Sequence, residues 1–166
     1  MWTSEDLEEA GVVQSFIGFL GRLLLCSIFI LSSVHDFFNW AEVEQSVSKY
    51  ISLWLQSYPN ISWINNGFEN LRDFSGVLLP AALLAKALGS ILIIFGWGVR
   101  FGAVLLLLFL VPTTIIMHPF WLELSVDQPI QMIMFLKNTS MTGGVLILLA
   151  YGATCKKVGK TPAAAK

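Results

Sequence analysis

From residue 16 to residue 153 the chain alternates between long apolar runs and short polar interruptions. The pattern is clearest from Leu78 to Trp121, where two apolar stretches flank Gly96-Trp97-Gly98-Val99-Arg100. A helix rising 1.5 Å per residue needs about 20 apolar residues to cross a hydrocarbon core of about 30 Å. Each stretch meets that length, and the turn is too short to form a globular loop. The pair therefore predicts an antiparallel membrane hairpin. The same criterion places spans at residues 16–38, 76–95, 101–118 and 130–153. The predicted fold is all-α: a four-transmembrane-helix bundle with amphipathic interfacial helices between spans 1 and 2.

Those interfacial helices are read from residues 39–75. Val43, Val47, Tyr50, Trp54 and Tyr58 recur at helical spacing, with Glu42, Glu44, Ser48, Lys49 and Gln56 on other faces. Pro59-Asn60 breaks the run, and Ile61, Ile64, Phe68 and Leu71 then repeat it. With Trp40, Trp54 and Trp63 included, two helices are expected to lie on the membrane surface. The same pattern equally fits a small cap packed on the end of the bundle. Within the spans, Ala81, Ala85 and Gly89 stand four apart, as do Gly98 and Gly102. Such small-residue faces let helix backbones approach closely. Pro112 is expected to kink the third span or loosen its hydrogen bonds.

Composition strengthens the membrane assignment. The chain of 166 residues is 55% hydrophobic and 13% charged, against about 25% charged in a typical soluble domain. A net charge of −1 gives no reason to expect a nucleic-acid partner. The two cysteines, Cys26 and Cys155, form neither a C-x-x-C pair nor a metal-ligand spacing. Cys26 reads as a buried thiol inside the first span, and Cys155 is a weak candidate for S-acylation.

Residues 1–15 form an acidic segment, with Glu5, Asp6, Glu8 and Glu9, in which Glu5 to Val13 are expected to form a short surface helix. They match neither a secretory signal nor a mitochondrial presequence. Residues 16–153 are the expected membrane domain and residues 154–166 a basic, flexible tail. Four spans put both termini on one side, together with Arg100, Lys156, Lys157, Lys160 and Lys166 and with Arg22 at the helix edge; the other side has Lys49 and Arg72. The positive-inside rule then predicts termini in the cytosol, or in the matrix if the membrane is mitochondrial. Loop 39–75 would face the lumen, where Asn60-Ile61-Ser62 is a glycosylation sequon. An endomembrane location such as the endoplasmic reticulum is favoured, with the mitochondrial inner membrane as the alternative.

Ionisable groups in hydrocarbon cost about 2.5–3.5 kcal/mol each on insertion scales, so those that persist invite a functional reading. This chain keeps Arg22, His35 and Asp36 in the first span, Lys86 in the second, His118 at the end of the third, and Lys137 with Asn138 in the fourth. By depth, Asp36, His35, Lys86, His118, Lys137 and Asn138 are expected to share the outer half of the bundle. Their acidic neighbours by topology are Asp36 itself, Glu123 and Asp127. Such a site suits an anionic headgroup, a quinone carbonyl or a small acid. The alternative is that each group snorkels or pairs for folding specificity. No nucleophile with its base, metal motif or phosphate loop is evident, so no catalytic residue and no metal site are assigned.

Three stretches, FLGRLLLCSIFILSSVHDF, AKALGSILIIFG with RFGAVLLLLFLVPTTIIMHPFW, and FLKNTSMTGGVLIL, resemble the HR-like lesion-inducing family, itself related to the wider DoxX-like group. Gly21-Arg22, Ala85-Lys86-Ala87-Leu88-Gly89 and Phe135-Leu136-Lys137-Asn138 with Gly143-Gly144 carry most of the resemblance. It implies a four-helix membrane protein linked to hypersensitive-type cell death or stress, with no catalytic residues to transfer. Among DoxX-like relatives are small membrane subunits tied to thiosulfate, quinone and oxidative-stress chemistry. The expected function is thus that of a membrane protein, not an enzyme by itself, acting through a polar intramembrane site, membrane lipids and other membrane subunits. The alternative is a quinone-binding or structural accessory subunit of a membrane oxidoreductase.

Overall fold

The computed structural model describes residues 4–122 and 127–152, with side chains from residue 12 onward. Glu123, Cys155 and the basic tail lie outside the described residues. Six helices follow in order: α1 (Ser4–Phe38), α2 (Trp40–Ser57), α3 (Ser62–Asp73), α4 (Ser75–Phe95), α5 (Val99–Met117) and α6 (Gln128–Tyr151). Four of them are long and apolar enough to cross a membrane: Val12–Phe38 within α1, then α4, α5 and α6. No strand occurs among the described residues. Residues 5–13, expected as a short surface helix, instead belong to the first turns of α1, which runs on into the first span. The polar pair Lys137-Asn138 does not interrupt α6. Pro112 does not end α5, because the helix continues to Met117.

α1 packs on α4, α4 on α5 and α5 on α6. Leu25 of α1 comes within 3.5 Å of the position a Cβ would take on Gly144 of α6. Cys26, Phe29, Ile93, Val99, Ala103, Leu106, Leu110 and Val145 form the buried apolar core, drawn from all four spans. Most other large apolar side chains on the spans point outward, among them Leu24, Leu31, Leu84, Leu108 and Ile147. In water such a surface would drive aggregation, whereas lipid is its natural solvent.

The α4–α5 hairpin is the tightest joint. Gly96 adopts φ 75°, a left-handed conformation that costs glycine little. Around it the Trp97 N–H donates to the Leu92 carbonyl at 2.9 Å and the Gly96 N–H to the Ile93 carbonyl at 3.2 Å. This is the Schellman arrangement that closes a helix C-terminus. Two turns further in, Gly89 and Gly102 face each other. A Cβ on Gly102 would lie 2.7 Å from the Gly89 carbonyl oxygen, and one on Gly89 would lie 2.9 Å from the Gly102 carbonyl oxygen. At the same end of the bundle as the hairpin turn, the Arg100 guanidinium donates to the Ala150 carbonyl at 3.2 Å. It thereby satisfies one of the orphan acceptors in the last turn of α6.

α2 and α3 close the opposite end. Their separation at Pro59-Asn60 follows the expected break, and Asn65 Nδ2 donates to the Pro59 carbonyl at 2.8 Å to hold that turn. α2 buries Tyr50, Ile51 and Trp54 and packs on α5, which makes it a cap on the bundle. α3 remains more peripheral, with Trp63 77% exposed. The Trp54 indole N–H donates to the Ile116 carbonyl at 3.1 Å, an acceptor in the unpaired last turn of α5. Its ring stacks on Phe68 at 5.1 Å and meets Trp121 edge-on at 6.0 Å. Trp54→Ala should therefore destabilise the protein by about 3–5 kcal/mol, with Trp54→Phe costing only about 1 kcal/mol for the lost hydrogen bond. Detergent-titration unfolding curves of the two variants would check that order.

Candidate intramembrane polar site

Side chains on a helix lean toward its N-terminus. α4 starts at the end of the bundle where α1 finishes, so Lys86 leans toward that end and Asp36, two residues before the end of α1, leans inward. The two meet in an ion pair between Lys86 Nζ and Asp36 Oδ2. Lys86 is 2% exposed, while the Asp36 side chain is 29% exposed. The ammonium also lies 5.0 Å from the centroid of the Phe109 ring on α5, a cation–π distance. The other carboxylate oxygen stands 3.5 Å from Nδ1 of His35, whose side chain is 65% exposed. The site thus joins three spans at one buried cation and opens, through Asp36 and His35, toward the capped end.

Nearby hydroxyls do not compete for these charges. Ser90 donates to the Lys86 carbonyl at 2.7 Å, Ser33 to the Phe29 carbonyl at 2.7 Å and Thr114 to the Leu110 carbonyl at 2.6 Å. Each closes a bond on its own helix.

The other residues expected in this cluster take different places. His118 belongs to a second polar group, in which its Nδ1 and Gln131 Oε1 are 2.8 Å apart. Gln131 Nε2 in turn donates to the Tyr50 hydroxyl at 2.7 Å. That chain ties the end of α5, the first turns of α6 and the cap helix α2 together. Neither Gln131 nor Tyr50 stood out in the sequence as a site residue. Tyr50 was visible only as one member of the apolar stripe, and a lone glutamine in a first helical turn gave no signal. Asn138 is buried on α6 at 7% exposure. Lys137 beside it is exposed, its ammonium donating to Met134 Sδ at 3.2 Å. Arg22 precedes Asp36 by 14 residues, a separation of about 21 Å along α1, so it stands near the opposite face of the bundle. It is half-buried, and its Nε is buried without a hydrogen-bond partner among the described residues.

An apolar cavity of about 250 Å³ lies between the cap and the α4–α5 hairpin. Val47 and Leu71 close it from the cap, Leu79 and Ala82 from α4, and Leu108, Phe109, Pro112 and Ile116 from α5. Phe109 is shared between this cavity and the Lys86 ammonium. Pro112 has no N–H to give to the Leu108 carbonyl, so the wall contains one acceptor its own helix does not satisfy in the usual way. Among the described residues, no group of three or more His, Cys, Asp or Glu is placed to hold a metal ion.

Four apolar spans around a buried ion pair, closed at one end by amphipathic helices, define an integral membrane protein embedded in lipid. The family model DoxX matches residues 17–119, and the chain belongs to the DoxX family. The match covers all but the beginning of the first membrane span and continues through the cap, α4 and α5, ending before α6. No curated protein and no solved structure matches the chain.

Proposed function

We propose that this DoxX protein is of the HR-like lesion-inducing kind and acts in cell death or stress through its intramembrane polar site and through membrane partners rather than as an enzyme by itself. Residues 16–153 are its working membrane domain. The observation that carries the reading is the Asp36–Lys86 pair, whose ammonium is buried inside the bundle beside the Phe109 ring. Replacing a buried ion pair by apolar residues of similar volume is often neutral for stability. The variant carrying both Asp36→Leu and Lys86→Leu is therefore the instrument of choice. It should fold and insert as the parent does, yet fail to raise lesions when expressed in leaf tissue. Full lesion formation by that folded double variant would reduce the pair to a structural role and sink the reading.

The cavity favours a second reading, an accessory subunit of a membrane oxidoreductase that binds a quinone or lipid. Its largely apolar wall, with Ser75 and Thr113 as its polar side chains, and the Phe109 ring shared with the Lys86 ammonium suit a ligand with an apolar body and few polar atoms. Co-purified quinone, displaced in a Ala82→Phe variant that fills the cavity, would favour this reading over the first.

For topology, we infer that the capped end faces the lumen of an endomembrane, with both termini cytosolic; the mitochondrial inner membrane is the alternative. Asn60 lies exposed in the turn between α2 and α3. Expressed in microsomes, the protein should gain one endoglycosidase-sensitive glycan that disappears in Asn60→Gln. An unmodified Asn60 in a correctly inserted protein would argue against a lumenal cap.

A further inference from the structure

Lys137 lies nine residues into α6, about 14 Å from its start and well inside a span. It is exposed, as are Ile133 and Ser140, its neighbours on the same helix face. Among the described residues its ammonium forms no ion pair and hydrogen-bonds only the thioether of Met134, three residues back. The side chain has thus reached toward the near end of α6 by about one turn and stops there. It remains below Gln131, which is itself tied into the cap by His118 and Tyr50.

A second observation points to the same face. Of the four spans, α6 is both the least apolar and the least buried. For a helix surrounded by lipid the opposite is expected: polar side chains turn inward, and the least apolar helix is the most enclosed. α6 packs on α5, and α1 approaches it at Gly144, two turns further along than Lys137. Among the described residues nothing covers the face carrying Lys137 and Ser140 above that contact.

We propose that this face of α6 is an interface for a transmembrane helix of another membrane protein, one that carries an aspartate or glutamate at the depth of Lys137. A second copy of this chain does not fit. Two α6 helices related by a two-fold axis would bring like charges together, and within the four spans the one carboxylate is Asp36, already held by Lys86. A foreign carboxylate would neutralise the cation, and Ser140 one turn on would offer a further hydrogen bond. The inference stands apart from the Asp36–Lys86 site, since Lys137 belongs to no part of it.

The test uses the full-length protein, reconstituted in phosphatidylcholine vesicles and labelled for energy transfer. The probes are synthetic Leu-Ala transmembrane helices with a single Glu, Gln or Lys placed to match Lys137 in depth. The Glu helix should bind about tenfold more tightly than the Gln helix, a typical size for a polar interhelical contact in lipid. That preference should vanish in Lys137→Leu and invert in Lys137→Glu, which should select the Lys helix. Because Lys137 is exposed, both variants should keep the parental circular dichroism spectrum. Equal binding of the Glu and Gln helices would show that snorkelling already satisfies the cation and would overturn the proposal. So would a preference that survives in Lys137→Leu, or self-association of the protein that depends on Lys137.

Discussion

Asp36→Leu should destabilise the protein by about 3–5 kcal/mol, the usual cost of stranding one partner of a buried ion pair. Lys86→Leu should cost clearly less. The asymmetry follows from exposure: removing Asp36 leaves an ammonium on a side chain that is 2% exposed, with only the Phe109 ring for company. Removing Lys86 leaves a carboxylate on a side chain 29% exposed and 3.5 Å from His35, where hydration can relieve it. The double replacement should return close to the parent, because it removes both desolvation costs at once. Unfolding by sodium dodecyl sulfate in mixed micelles, followed by circular dichroism, measures all three. A Lys86→Leu variant weaker than Asp36→Leu, or a double variant as weak as the worse single, would contradict the burial argument.

Gly102→Ala is the second large effect. The added methyl would sit 2.7 Å from the Gly89 carbonyl oxygen, 3.0 Å from Ile93 Cγ1 and 3.1 Å from Leu92 Cβ. The first of these is backbone and cannot swing aside, so α4 and α5 must separate. Overpacking of this kind costs about 1–3 kcal/mol, and the upper end is expected here because the clash is with main chain. Gly89→Ala meets the mirror contact at 2.9 Å and should behave alike. Gly143→Ala is the control, since nothing stands within 4 Å of its Cβ position. It should be neutral or stabilising by up to about 1 kcal/mol through helix propensity alone. The same mixed-micelle titration reads this series. Equal stability of Gly102→Ala and Gly143→Ala would mean that the hairpin contact is not close.

Much of the fold was legible because its signals are local. Span length follows from hydrocarbon thickness, the hairpin turn from Gly96 and Gly98 bracketing Trp97, and the cap helices from a stripe broken at Pro59-Asn60. The glycine spacing also announced a close helix approach, although not that Gly89 would meet Gly102 across the hairpin. The limits of local reading appear at residues 5–13. There an acidic start looked like a separate helix, but nothing in it stops a helix before the apolar run begins, and α1 continues through.

The polar residues divide along the same line. Sequence alone placed Arg22, His35, Asp36, Lys86, Lys137 and Asn138 within the apolar spans and His118 at the end of one, because position along a span is read directly from the order of residues. It also determined an integral membrane protein, because hydrophobic length is a one-dimensional property. Which polar groups meet was decided by tertiary structure. Rotation about each helix axis turns Lys86 inward to Asp36 and Phe109, sends the adjacent residues Lys137 and Asn138 to opposite fates on α6, and joins His118 to Gln131 and Tyr50. A step of one residue turns a side chain by about 100° around a helix, and only packing against neighbouring helices fixes which of those directions is the interior.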